Sequence, residues 1–146
     1  MKLVRFVTKK ELDLYLSGAR IVNRKRHAIS GFKTTSVGAC FAELTPERDP
    51  DKWLRKLFFN ITCEYCIEFD STQFKELLIK SQSIYSADDP EGINAGKRIN
   101  VREWCLTSYS IDTHPYLRIG KCPTLADLCA GKKIEWLDPT SVLMAK

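Results

Sequence analysis

Three polar segments interrupt apolar runs of this chain, and their residue types suit the binding of a phosphorylated sugar. Arg5 lies inside one apolar run, the Thr-Thr-Ser segment 34–36 opens a second, and Glu103 begins a third. Burying a charge is costly unless the charge is paired or used, so we expect the three segments to line a polar cleft. An arginine fork binds phosphate, and a preorganised carboxylate stabilises a cation that forms on a sugar.

Other catalytic chemistries have less support in the residue pattern. His27 and His114 are the chain's histidines, and neither lies in a segment that strand packing would hold. A serine or cysteine nucleophile needs a positioned base, and the glycines lack the spacing of a phosphate-binding loop. Hydrolysis by two carboxylates would pair Glu103 with Glu64 or Glu68. Strand alternation, however, predicts Glu64 and Glu68 on one exposed face.

The six cysteines predict neither a disulfide framework nor a metal centre. The N-terminal residues lack the apolar core of a secretion signal, so we expect reduced thiols that pack as small hydrophobic groups. Cys63 and Cys66 have the spacing of a metal-binding pair, but the alternating segment 61–69 predicts a strand. Residues three apart on a strand face opposite sides, so we expect no metal ion between these two sulfurs.

Length and composition predict one globular domain that spans residues 1–146. Hydrophobic residues make up 44% of the chain and charged residues 28%, which is typical of a compact core with a hydrated surface. The apolar runs are too short to cross a membrane. We therefore expect a cytoplasmic protein with no membrane partner.

The formal net charge of +5 is unevenly distributed along the chain. Residues 20–33 contain five basic side chains and no acidic ones. Such a run can bind nucleic acid or an acidic protein partner, and Arg24, Lys25 and Arg26 are its candidate contacts. A solvated basic loop is the other interpretation of this segment.

Hydrophobic periodicity predicts an α+β fold, a single compact domain with mostly antiparallel strands in a split or two-sheet core and three or four short helices. Thr8 and Glu11 match a capping box, in which the glutamate reaches back to the threonine amide. Gly18 is a suitable stop for the helix that follows. The predicted strands are 2–7, 34–42, 61–69, 102–110 and 115–121, and the predicted helices are one after Thr8, one over 46–58 and one over 124–130, with 134–137 as an edge strand or irregular cover.

The order of these segments resembles the small ADP-ribosyltransferase fold. In that family a first strand carries a histidine or arginine, and a second segment carries a Ser-Thr-Ser-like or tyrosine motif. A final strand carries a glutamate, which follows a turn-rich loop that meets the acceptor. Segments 3–7 (LVRFV), 34–38 (TTSVG) and 102–106 (REWCL) match these elements in order, and the resemblance covers roughly residues 2–121.

The resemblance implies NAD as co-substrate and no metal cofactor. Glu103 would stabilise the oxocarbenium character of the ribose, and Arg5 would bind a phosphate or the adenosine ribose. Phe41 or Phe58 would stack on nicotinamide, unless both rings simply belong to the core. The implied cofactor contacts are Arg5, Thr34, Thr35, Ser36 and Phe41, and the implied acceptor or partner contacts are Arg24, Lys25, Arg26, Asp88 and Asp89.

Departures from the family pattern leave the acceptor and the chemistry open. Val101 lies two residues before Glu103, where arginine-modifying relatives carry a second glutamate or glutamine. Nucleic acid, another side chain and water therefore remain as acceptors. A rival interpretation is a non-catalytic module that uses the basic segment 20–33 to bind nucleic acid or an acidic protein partner. A third interpretation is a transferase fold without activity that acts as an inhibitor. For Arg5 itself, the alternative to binding a ligand is an ion pair at the surface.

Overall fold

The computed structural model describes residues 1–22, 39–57, 64–74, 79–80, 84–85, 98–99, 103–106 and 108–138. Strands and short helices alternate along these segments, as expected for an α+β protein. The strands are β1 (Lys2–Val7), β2 (Ala39–Glu43), β3 (Tyr65–Asp70), β4 (Ile79–Lys80), β5 (Ile84–Tyr85), β6 (Arg98–Ile99), β7 (Glu103–Leu106), β8 (Tyr116–Lys121) and β9 (Glu135–Trp136), the helices are α1 (Lys9–Leu16), α2 (Pro50–Leu57) and α3 (Leu125–Cys129), and a 3-10 turn spans Ser71–Gln73.

Seven strands form one antiparallel sheet in the order β4-β7-β2-β1-β3-β8-β9, and β5 pairs separately with β6. Five strands make up most of the large sheet, because β4 and β9 at its two edges have two residues each. The antiparallel arrangement confirms the prediction from sequence. In the described ranges the large sheet has an apolar cluster on each face, and the β5–β6 pair forms a second, small sheet.

Alternation along β1 sends its apolar side chains to both faces of the sheet. Val4 and Phe6 belong to a cluster that includes side chains of α2, on what we call the α2 face. Leu3 and Val7 belong to a cluster that includes side chains of α1, on what we call the α1 face. Because both faces are covered, β1 is an almost continuous apolar run, and its one central charged residue, Arg5, is buried as well.

Local signals set the two ends of α1. Thr8 accepts a hydrogen bond from the backbone N–H of Glu11 over 3.2 Å, and Gly18 follows the helix with a φ of 90°. The predicted capping box forms only in part, because the Glu11 side chain bonds to Arg5 instead of reaching back to Thr8. A buried guanidinium requires a charged partner more than an exposed amide does. The buried side chains of α1 are Leu12, Tyr15 and Leu16, whose spacing places them on one face of the helix.

The second helix begins at Pro50, four residues later than the predicted helix at 46–58. A tight turn over 45–48, closed by backbone hydrogen bonds, keeps the preceding residues out of the helix. Asp49 caps α2, since its Oδ1 accepts from the Lys52 N–H at 2.9 Å. Proline is favoured at the first helical position, where its missing N–H leaves no bond unmade.

The C-terminal elements follow the predicted pattern. Thr124 caps α3 by accepting a hydrogen bond from the Asp127 N–H over 3.2 Å, and Gly131 follows the helix with a φ of 84°. β9 is an edge strand that pairs with β8, with Gly120 opposite Trp136. Of the other predicted segments, 34–38 and 61–63 lie outside the described residues.

The three α-helices in the described ranges have eight, eight and five residues. Within those ranges, no helix combines the length and apolar character that crossing a bilayer requires.

Gly120 lies at a close approach between β8 and the segment that covers it, and we predict that Gly120→Ala destabilises the protein. A Cβ at this position would overlap Ile134 Cγ2 and lie 3.1 Å from both Cys66 Sγ and Trp136 Cε3. The free energy of unfolding should fall by about 1–3 kcal/mol, because the packed neighbours have little room to move. Urea denaturation measures this change. Lys121→Ala, an exposed change on the same strand, is the control, and equal urea midpoints for the two variants would contradict the packing.

Candidate functional site

Three of the predicted site residues lie on adjacent strands of the large sheet. Arg5 is in β1, Phe41 in β2 and Glu103 in β7, and these strands follow one another in the order β7-β2-β1. Neighbouring strands are about 4.8 Å apart, so β1 and β7 are separated by about 10 Å. The remaining predicted site residues lie outside the described part of the chain, namely Thr34, Thr35, Ser36, Arg24, Lys25, Arg26, Asp88 and Asp89.

The strand register places Arg5 and Glu103 in different rows of the sheet. Val4 pairs with Ala42, and Ala42 pairs with Glu103, so these three positions form one row. Val4 and Ala42 belong to the cluster on the α2 face. Arg5 is the next residue of β1, and successive rows belong to opposite faces. The sheet therefore brings the strands of Arg5 and Glu103 together but does not place the two residues in one row.

Arg5 is bonded to an acidic side chain inside the protein. Its side chain is only 2% exposed. Nε donates to Glu11 Oε2 at 2.7 Å and Nη2 donates to Glu11 Oε1 at 2.8 Å, which gives the bidentate geometry of a strong arginine–carboxylate pair. The hydroxyl of Tyr109 accepts from Arg5 Nε at 3.3 Å and donates to Glu11 Oε2. We call these three side chains the Arg5 network.

Burial and charge pairing set the ionisation of the Arg5 network. Burial by itself would raise the pKa of Glu11, but the charge of Arg5 and the hydrogen bonds from Arg5 and Tyr109 hold that pKa below its ordinary value. Burial likewise opposes the charge of Arg5, yet the contacts with Tyr109 and Glu11 outweigh burial and raise the pKa of Arg5. Burial is the largest cause of a raised pKa at Tyr109. At neutral pH the network is thus an ion pair with a neutral tyrosine.

The sequence did not identify Glu11 and Tyr109 as partners of Arg5. Its alternatives for Arg5 were a ligand phosphate, a ribose or a surface ion pair, and the structure contains a buried ion pair instead. A local signal for Glu11 exists, since it is an acid in the first turn of the helix that directly follows β1. Tyr109 carries no such signal, because it reaches Arg5 only through long-range pairing with the segment near Ile21.

Phe41 is part of the aromatic core on the α1 face. Its ring has no exposed surface and packs edge to face against Phe69 and Tyr109, with centroids 5.3 and 5.5 Å away. The guanidinium carbon of Arg5 lies 5.9 Å from the Phe41 centroid. The sequence left open that Phe41 simply belongs to the core, and its packing is that of a core residue.

Two polar residues that the sequence did not predict in the interior are buried. Glu68 was predicted on an exposed face but is 4% exposed, because it pairs with Val4 in a row of the α2 face, which an apolar cluster covers. Its Oε2 accepts from Arg118 Nε at 2.6 Å. His114 is 1% exposed. Its Nδ1 lies 2.7 Å from Thr113 Oγ1, and its ring packs edge to face against Phe74. Tertiary packing therefore holds both side chains in place.

In the described part of the chain, no group of three or more histidine, cysteine or acidic side chains lies close enough together to hold a metal ion. Cys66 and Cys122 are free thiols in the apolar cluster on the α2 face. Hydrogen bonding with Cys66, followed by burial, raises the pKa of Cys122. The Cys122 thiol is thus protonated at neutral pH and packs as a small hydrophobic group.

Comparison of the chain with protein-family models, with curated proteins and with solved structures found no match.

The buried ion pair predicts that Glu11→Gln strongly destabilises the protein. Removing one charge of a buried pair leaves the other charge uncompensated, so the free energy of unfolding should fall by about 3 kcal/mol. Asp13→Asn on the same helix is the matched control, because Asp13 pairs with Lys9 at the surface and exposed pairs contribute little. Urea denaturation at neutral pH compares the two variants. Equal losses of stability would contradict the assignment of Glu11 to a buried pair.

The same pair predicts a loss of stability in acid. The folded protein holds the pKa of Glu11 below the ordinary value of 4.5, so the unfolded chain takes up a proton first as the pH falls. The contribution of Glu11 is therefore fully present well above pH 4.5 and decreases as the pH drops toward the folded pKa. Urea denaturation at a series of pH values measures this slope. It should be shallower in Glu11→Gln, and an unchanged slope would contradict the lowered pKa.

Proposed function

We propose that this protein is a small NAD-dependent ADP-ribosyltransferase, which cleaves the bond between nicotinamide and ribose and transfers ADP-ribose to an acceptor. The observation that carries the proposal is the adjacency of β7, β2 and β1 in the sheet. These strands contain or directly follow the three segments that resemble the family's elements. Strands β1, β2 and β7, which are far apart in the chain, thus lie within about 10 Å of one another.

Glu103 is the residue to which we assign catalysis. Departure of nicotinamide leaves positive charge on the ribose, as the departure of the leaving group does in glycoside cleavage. A carboxylate fixed in advance on a strand stabilises that charge without reorganising. The acceptor then attacks the anomeric carbon and gives up its proton. Water in place of the acceptor gives simple NAD hydrolysis.

Arg5 receives a different role here from the one that the sequence resemblance implied. Its guanidinium bonds to Glu11 and Tyr109, and it lies one row away from Glu103. We therefore treat Arg5 as a positioning residue that fixes β1 against α1. The hydroxyl segment 34–36, which precedes β2, remains the proposed contact for the nicotinamide ribose. Stacking on nicotinamide is not assigned to Phe41, because its ring is fully buried.

The proposal predicts that Glu103→Gln abolishes most of the nicotinamide release from NAD. Loss of one preorganised electrostatic contact typically lowers kcat by about 10²–10³. Glu64→Gln is the matched control, since Glu64 is exposed next to β3 and has no role in the proposed chemistry. Chromatography of released nicotinamide gives the rate, and circular dichroism checks that both variants fold. Undiminished turnover in Glu103→Gln would contradict the catalytic assignment.

NAD binding provides a test that does not depend on turnover. A ligand that binds only the folded state stabilises it, by about 2.7 kcal/mol at one hundred times its Kd. We expect NAD to raise the thermal midpoint, whereas ATP at the same concentration and ionic strength does not. Saturable NAD binding without nicotinamide release would favour the inactive, inhibitory form of the fold. Absence of both binding and turnover would contradict the proposal.

A further inference from the structure

A charged groove separates α2 from the segment that follows α3. Its volume is about 260 Å³. Lys52 and Arg55 line it from α2, and Lys132 and Lys133 line it from the opposite side. Leu128 contributes an apolar surface. Four basic side chains thus surround a concave space that is large enough for one or two phosphate groups.

The acidic side chains of the groove are engaged by backbone amides. Asp49 Oδ1 accepts from the Lys52 N–H at 2.9 Å, which caps α2. Asp51 Oδ1 accepts from the Ile134 N–H at 2.8 Å and ties α2 to the segment before β9. These two carboxylates therefore shape the groove. They leave it with four basic and two acidic side chains.

The basic side chains are available to a ligand. Among the described ion pairs, none includes Lys52, Arg55 or Lys133. Lys132 lies 3.3 Å from Asp127 Oδ1, and its side chain is still 67% exposed. Four basic against two acidic side chains leave an excess of positive charge in the groove, which an anion would neutralise. The groove thus has the charge and shape of an anion site.

We propose that this groove binds a phosphoryl group, with Lys52 and Arg55 on one side of the anion and Lys132 and Lys133 on the other. Arginine contributes a planar fork that matches two phosphate oxygens, and lysine contributes a flexible point charge. The phosphoryl group belongs either to a small phosphorylated ligand or to a nucleic-acid backbone. The two sources share this chemistry and differ in how many contacts they make outside the groove.

The groove is separate from the position of Glu103. Its lining residues lie in or beside α2 and in or after α3, and none of them belongs to β7. A test of phosphate binding at the groove is therefore independent of a test of NAD turnover.

The test titrates the protein with inorganic pyrophosphate and, separately, with a single-stranded DNA oligonucleotide at constant ionic strength. The groove variant is Arg55→Gln combined with Lys133→Gln. The matched control is Lys2→Gln combined with Lys10→Gln, which removes the same charge from exposed residues elsewhere. Calorimetry gives Kd, and the thermal midpoint checks that both variants fold. We expect binding to the groove variant to weaken on the order of tenfold, the usual effect of losing charge-assisted hydrogen bonds, while the control variant binds like the original protein.

The two titrations identify the source of the phosphoryl group. Pyrophosphate binding that only the groove variant loses supports a small phosphorylated ligand. Oligonucleotide binding that only the groove variant loses, without pyrophosphate binding, supports a nucleic-acid backbone. Equal weakening in both variants would mean that overall charge alone attracts anions, and it would overturn the proposal. Undetectable binding of both probes, or binding that neither variant changes, would overturn it too.

Discussion

The buried pair of Arg5 and Glu11 is the constraint on which most of the fold depends. A guanidinium at the centre of β1 cannot remain buried without a carboxylate, because desolvation of an isolated ion costs several kcal/mol. Glu11 meets this requirement only when α1 lies on the face that Arg5 occupies. Tyr109 completes the network, and its backbone pairs with Ile21. One charged residue in a strand therefore fixes the face covered by α1 and the path of the chain near residue 109.

Elements with local signals were predictable from the sequence. β1 was predicted at its observed bounds, and the cap at Thr8 and the glycine after α1 mark that helix correctly. These signals involve residues within a few positions of one another. The start of α2 was misplaced because the turn over 45–48 uses residues that are also compatible with a helix. The order of the strands in the large sheet was not predicted, since it depends on contacts that no local pattern encodes.

The candidate site was less predictable for the same physical reason. Which side chains share a face depends on register, and a shift of one residue moves a side chain to the opposite face. The order of Arg5 and Glu103 along the chain is known without the structure, whereas the register that separates their rows is not. Glu68 shows the same limit. Its alternation with Glu64 predicted exposure, and its burial follows from the apolar cluster that covers its face of the sheet.

Charged residues of this protein fall into two groups with different meanings. The buried ones, Arg5 and Glu68, have partners within the fold, so their presence in apolar strands reflects folding as readily as function. Several exposed basic residues around the groove of α2 have no ion pair among the described residues, and the fold gives no reason for their convergence. For a polar residue inside a strand, a partner within the fold should be sought first. Function is better inferred from charges that remain after such partners have been found, because only those charges can interact with a ligand.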